Sequence, residues 1–245
     1  MNLEERLRAS TRIIEAGLDA DGLAEVMDIL GAAGFPRELI PDIHIYSEYL
    51  PKADELGFTP EQRYMHFLWD CLDRLPIGLI VPFSFPLRRA IAGRLFKRCG
   101  ECFNAEQNVQ FNFGQNIEVG SDVFINRNTF LDSKGGIEIG DYSGLGENVI
   151  IFTHSHSESA HELRNYGKVT IGNFVKVYSD SMLLPGVTIG DQAIVAAKSV
   201  VNKDVPPNTV VAGIPATPVR ERKNEGLEGL ELKHIWLKSG AFQID

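Results

Sequence analysis

The chain has no apolar run long enough to span a bilayer: its most apolar stretch, LPIGLIVPFSFP (Leu75–Pro86), is short and broken by prolines. It has no basic stripe. With a net charge of −9, nucleic acid is not an expected partner. Cysteines are few: Cys71, Cys99 and Cys102 are all there are. A disulfide framework is thereby excluded, and a reducing, cytoplasmic setting is expected. The first ten residues, MNLEERLRAS, are charged and carry no apolar core of a secretory signal. CGEC (Cys99–Cys102) has Cys-x-x-Cys spacing, but no second ligand pair follows as zinc would need. It lacks a thioredoxin-like context too, so these are read as inert thiols. No metal is expected.

What is there falls into two grammars. Residues 1–100 read as helical. In TPEQRYMHFLWDCLDRLP, Thr59 caps, Pro60 suits the first helical position and Gln62 completes a capping box. Tyr64, Phe67, Leu68, Cys71, Leu72 and Leu75 then share a face. Leu23, Val26, Met27 and Leu30 form a similar stripe. PLRRAIAGRLFKRCG is a further candidate, with Gly100 as its stop. Its Arg88, Arg89, Arg94, Lys97 and Arg98 read as a solvated helix face in preference to a peripheral membrane patch.

After Gly100 a six-residue period begins. An aliphatic residue recurs at Val119, Ile125, Leu131, Ile139, Leu145, Ile151, Ile171, Val177, Leu183, Ile189, Val195 and Val201. Four residues after each stands a small or β-branched one, among them Val123, Thr129, Ser143, Val149, Ser155, Val175, Ser181 and Ser199. Such units are too short for helix pairs. Short strands joined by polar turns, stacked into coils, would bury both positions. The period breaks between Ile151 and Ile171, where FTHSHSESAHELRNYGK carries His154, His156 and His161. A loop leaving a repeat array is a usual place for function.

From about Asn108 to Arg220 the sequence resembles the hexapeptide-repeat acyltransferases. It resembles in particular the galactoside and maltose O-acetyltransferases and their polysaccharide-modifying relatives. The tail IGDQAIVAAKSVVNKDVPPNTVVAGIPATPVR, LDSKGGIEIGD and THSH carry the likeness. The resemblance implies a mainly β fold, a left-handed parallel β-helix over residues 101–218, with an excursion loop at 156–170. The α-helical region 1–100 precedes it and a tail, 219–245, follows. It also implies a homotrimer with sites between subunits and acetyl-CoA as co-substrate. The acceptor is expected to be a sugar, nucleotide sugar or glycan.

By an ungapped match from Asn126, the family's base falls on His156, with His154 as its companion. Acetyl transfer to a hydroxyl needs a group to take the hydroxyl proton, and neutral imidazole suits this. Asn126 falls on an acceptor-binding position, and Asp132 is the candidate for a second, because the family's aspartate position holds Lys134. Donor contacts map to Ser179, Ala197, Asn202, Lys203 and Arg220, with an oxyanion donor around Tyr178–Ser179. Tyr178 and Thr217 depart from the pattern, which has glycine and arginine there. Two other readings are a non-catalytic trimeric scaffold and a γ-carbonic-anhydrase-like metalloprotein. The second needs an upstream histidine ligand, and none occurs from Glu101 to Thr153.

Overall fold

The computed structural model describes residues 1–32 and 34–232; the expected tail's residues 233–245 lie outside them. Two compact units meet in the chain at Phe96 and Lys97.

The first unit is helical: α1 (Leu3–Ala16), α2 (Ala20–Ile29), α3 (Ala53–Leu56), α4 (Pro60–Leu72) and α5 (Val81–Leu95). The Thr59–Gln62 capping box starts α4, with Pro60 in its first turn. Its buried face is turned from the stripe read from sequence: Met65, His66 and Trp69 are buried beside Tyr64, Leu68 and Leu72, whereas Phe67 and Cys71 are half-buried and Leu75 lies beyond the helix. The cause is packing on two sides, against both α2 and α5. The α2 stripe of Leu23, Val26, Met27 and Leu30 is buried throughout.

α5 departs from expectation. It begins five residues before Pro86, which it carries in its interior, and it stops well short of Gly100. Arg88 is no part of a solvated face: it is fully buried, paired with Asp73 and set over the Trp69 ring. Among the described residues no helix is long and apolar enough to cross a membrane.

The second unit is a parallel β-solenoid with three faces. One face stacks Arg98–Cys99, Ile117–Val119, Ile137–Ile139, Val169–Ile171 and Thr188–Ile189. The next stacks Asn104–Ala105, Phe124–Ile125, Gly144–Leu145, Lys176–Val177, Ile194–Val195 and Thr209–Gly213, with Ala216–Glu221 closing it antiparallel. The third stacks Gln110–Phe111, Phe130–Asp132, Ile150–Phe152, Met182–Leu183 and Val200–Val201. All twelve aliphatic positions are at most 1% exposed; the burial of that ladder is the main stabilising term of the unit. Of the small positions, Ser155 breaks the rule. It is exposed and pairs antiparallel with Asn165, outside the solenoid.

One corner is an amide ladder. Asn108 donates to Asn128 (2.8 Å), Asn128 to Asn148 (3.1 Å) and Asn148 to Asp180 (2.8 Å). All four are left-handed, with φ of 58°, 60°, 58° and 62°, a conformation that Asn and Asp tolerate best after glycine. Asn148→Ala is expected to destabilise the unit by roughly 1–2 kcal/mol, because it loses both ladder bonds and places a methyl in left-handed backbone. Asn148→Gly is expected to cost less. Urea midpoints of the two variants check this; equal midpoints would mean that the backbone conformation contributes nothing.

Candidate active site

The excursion is an antiparallel hairpin, His154–His156 paired with Arg164–Tyr166. It leaves the third face after Phe152, and the first face resumes at Val169. Ile151 and Ile171 are therefore neighbours across a single corner. The insertion is longer than their separation suggests when counted in hexapeptides, and it starts before residue 156.

The hairpin is tied down at its root. Thr153 is buried; its hydroxyl donates to the Asp132 carbonyl and accepts from the Gly135 N–H at 2.7 Å, while its carbonyl accepts from Gly167 N–H at 2.9 Å. Gly135 is required here, because a Cβ would stand 2.5 Å from the Thr153 carbonyl oxygen.

His156 is exposed on the outer part of the strand. Its Nδ1 lies 2.8 Å from the His161 carbonyl oxygen, and its ring stacks on that of His161 at 3.9 Å and 3°. A carbonyl oxygen only accepts, so Nδ1 carries the proton and, in the neutral ring, Nε2 has the free lone pair.

His154 is placed differently. It is half-buried, and its Nδ1 meets Asp132 Oδ2. Its ring stands edge-on to His156, centroids 5.2 Å apart, and stacks on Tyr166 at 6.4 Å. Burial pushes its pKa down; the Asp132 charge opposes this, and Lys134 and His156 add to the lowering.

Asp132 does not fit the acceptor contact expected of it. It is 0% exposed, and besides His154 it accepts from Lys134 Nζ at 2.6 Å and Asn112 Nδ2 at 2.9 Å. Sequence reasoning missed Asn112, which the twenty-residue coil stacks directly under Asp132. It also missed Tyr166 and the His161 carbonyl, which only the hairpin pairing brings in.

The other site residues divide between two corners of the solenoid. Asn126, Ser179 and Ala197 follow strands of the second face and share one corner with Glu147. There the Ser179 hydroxyl donates to Glu147 Oε2 at 2.5 Å, which holds the Glu147 carboxyl below its usual range, and the Ser179 carbonyl accepts from Lys198 N–H at 3.0 Å. Tyr178 is 42% exposed and gives its N–H to the Val195 carbonyl at 2.9 Å. Asn202 and Lys203 are exposed and follow Val200–Val201 on the third face, at the corner that carries the hairpin. Arg220 is exposed on the closing strand, opposite Val210, with Nη1 donating to the Glu221 carbonyl at 3.0 Å.

Cys99 and Cys102 are half-buried and not joined in a disulfide, and burial pushes the Cys71 thiol up to about 11, which makes it inert at neutral pH. Among the described residues no group of three or more His, Cys, Asp or Glu is placed to hold a metal ion.

Comparison with known proteins agrees with this architecture. The family model for bacterial transferase hexapeptide (six repeats) matches residues 168–203. The chain is 36% identical to the galactoside O-acetyltransferase of Escherichia coli (strain K12) over 145 residues, 57% of this chain and 71% of that protein. A hexapeptide-repeat acetyltransferase of Vibrio cholerae, solved with acetyl coenzyme A, superposes with a TM-score of 0.60 at 26% identity, covering 76% of this chain and 97% of that one. A maltose O-acetyltransferase from Clostridium difficile 630 gives a TM-score of 0.61 at 29% identity, covering 76% and 96%. On repeat, fold and sequence together, the chain belongs to the hexapeptide-repeat acetyltransferases.

Proposed function

We propose that the protein transfers an acetyl group from acetyl-CoA to a hydroxyl of a sugar or glycan precursor, with His156 as the base. The observation that carries this is the His156–His161 contact, which fixes one tautomer and leaves Nε2 able to accept a proton. Nε2 takes the hydroxyl proton as the oxygen attacks the thioester carbonyl. The resulting oxyanion collapses, the carbon–sulfur bond breaks, and the coenzyme thiolate takes the proton from the imidazolium. Thiolate is a good leaving group, so no covalent enzyme intermediate is needed. Of the Tyr178–Ser179 pair, Tyr178 gives its N–H to Val195, so the Ser179 N–H is the candidate for the oxyanion.

The working unit in this reading is a homotrimer. Asn126, Ser179 and Ala197 stand at one corner while His156 and Lys203 stand at another, so a second copy of the chain is needed to set one group against the other. A cytoplasmic location belongs to the same reading, since three cysteines in 245 residues are too few for a disulfide framework.

The test is an acceptor screen that follows released thiol, combined with calorimetry of acetyl-CoA binding. Donor binding and thiol release with a sugar hydroxyl are expected. Absence of donor binding would favour the scaffold reading. Light scattering from an active species of one chain's mass would remove the trimer.

Lys203 and Arg220 are the cations at the proposed donor positions, and both are exposed. Lys203→Ala and Arg220→Ala are each expected to raise the Michaelis constant for acetyl-CoA more than they lower turnover. A phosphate contact remote from the thioester binds ground state and transition state alike. Unchanged donor constants in both variants would count against the assignment.

A further inference from the structure

The root of the hairpin holds a charge arrangement that the base itself does not explain. Three donors converge on the fully buried Asp132: His154 Nδ1, Lys134 Nζ at 2.6 Å and Asn112 Nδ2 at 2.9 Å. The Lys134 side chain is itself only 12% exposed, so the cation is held in the protein and does not wave in solvent. We propose that Asp132, charge-balanced by Lys134, is a positioning residue that holds His154 as the neutral Nδ1–H tautomer and so fixes the strand carrying His156. This rests on the reading of His156 as the base.

The argument has two steps. A carboxylate that already accepts from an ammonium and an amide is ionised and only accepts, so the His154 proton on that side belongs to Nδ1. The bond anchors one end of a three-residue strand, and the Thr153 contacts anchor the same end to the solenoid. His156, two residues on, inherits the position. The second step concerns charge. Alone, a buried carboxylate would draw a second proton onto His154 and make it an imidazolium. That cation would stand edge-on to His156, ring centroids 5.2 Å apart, and would oppose the positive charge His156 gains when it takes the hydroxyl proton. Lys134 supplies the compensating charge in place of that proton. The groups facing His154 are Asp132 from the third face, Lys134 from the turn after it, His156 on its own strand and Tyr166 across the hairpin. Of these, only Asp132 favours the protonated ring at neutral pH.

The experiment is histidine-selective 15N NMR on the full chain, with steady-state kinetics alongside. In the wild type, His154 is expected as the Nδ1–H tautomer, titrating below the ordinary imidazole range. Lys134→Met is expected to raise the His154 titration by about one pH unit or more. Turnover should fall about tenfold below that pH, with the acetyl-CoA Michaelis constant unchanged. Asp132→Asn leaves Lys134 without its counter-charge and is expected to destabilise the unit. Asp132→Asn combined with Lys134→Met removes both charges and is expected to restore folding. A wild-type His154 protonated on Nε2, or a His154 titration unmoved by Lys134→Met, would overturn the proposal even if the enzyme is fully active. A wild type that transfers no acetyl group would overturn the catalytic reading and the positioning role with it, while the titrations would still report the clamp itself.

Discussion

His156→Ala is expected to lower turnover by about two to four orders of magnitude, the usual contribution of a positioned general base. Acetyl-CoA binding and the oligomeric state are expected to stay as they were. Both halves follow from placement. The His156 side chain is exposed on the hairpin, where it stacks on His161, bonds its carbonyl and stands edge-on to His154. Its removal takes away a proton acceptor without opening the aliphatic ladder. His154→Ala is expected to cost about tenfold, since His154 is turned inward to Asp132 and acts through its neighbour. If His154→Ala is the dead variant and His156→Ala turns over normally, the base is the buried dyad, and the strand has been read two residues out of register. Single-turnover kinetics on the two variants, with calorimetry for donor binding, distinguishes these cases.

The solenoid was legible because its code is redundant. Every coil repeats an aliphatic residue at the same phase, and all twelve such residues are buried. A pattern that recurs in each coil survives local exceptions. The hairpin was legible as a break and illegible in extent. Ile151 and Ile171 are twenty positions apart in sequence, close to a whole coil, so counting hexapeptides hid the fact that they flank one corner. Ser155 falls in phase by number alone and lies outside the solenoid. The fate of Asp132 was hidden for a different reason. Its partners Asn112, Lys134 and His154 come from two coils and the hairpin. Only the coil length of twenty residues, two more than three hexapeptides, sets Asn112 beneath it. Between Asn112 and Asp132 the coil carries the short turn at Gly114–Asn116. In the helical unit, apolar spacing gave the α2 stripe and, of the α4 stripe, Tyr64, Leu68 and Leu72. It could not foresee a buried arginine, because an arginine in a run of basic residues at a helix end has the signature of a surface.

Asp73→Ala is the substitution expected to cost the helical unit most, about 3–5 kcal/mol. Arg88 on α5 has a side chain only 1% exposed, and its Nη2 donates to Asp73 Oδ1. Among the described residues its Nε and Nη1 find no hydrogen-bond partner. It also stands over the Trp69 ring, 4.9 Å from the guanidinium carbon to the centroid, and a cation–π contact is worth about 2 kcal/mol when desolvated. That is too little to hold a buried cation whose carboxylate has gone. Burial already pushes the arginine pKa down and Asp73 is the first influence opposing this, ahead of the Asp70 charge, so removing Asp73 leaves most of the desolvation penalty uncompensated. The reverse change is expected to be milder. Arg88→Met removes the charge and keeps much of the volume, and the Asp73 side chain, 16% exposed, can then turn to water. Combining Asp73→Ala with Arg88→Met is expected to give a more stable protein than Asp73→Ala alone. Trp69 fluorescence during urea unfolding reports the change locally, in a Trp236→Phe background that removes the second tryptophan. An Asp73→Ala variant within about 1 kcal/mol of the parent would mean that the arginine is not held by this pair. A double variant as unstable as the single would locate the loss in Asp73's own packing and not in the stranded cation.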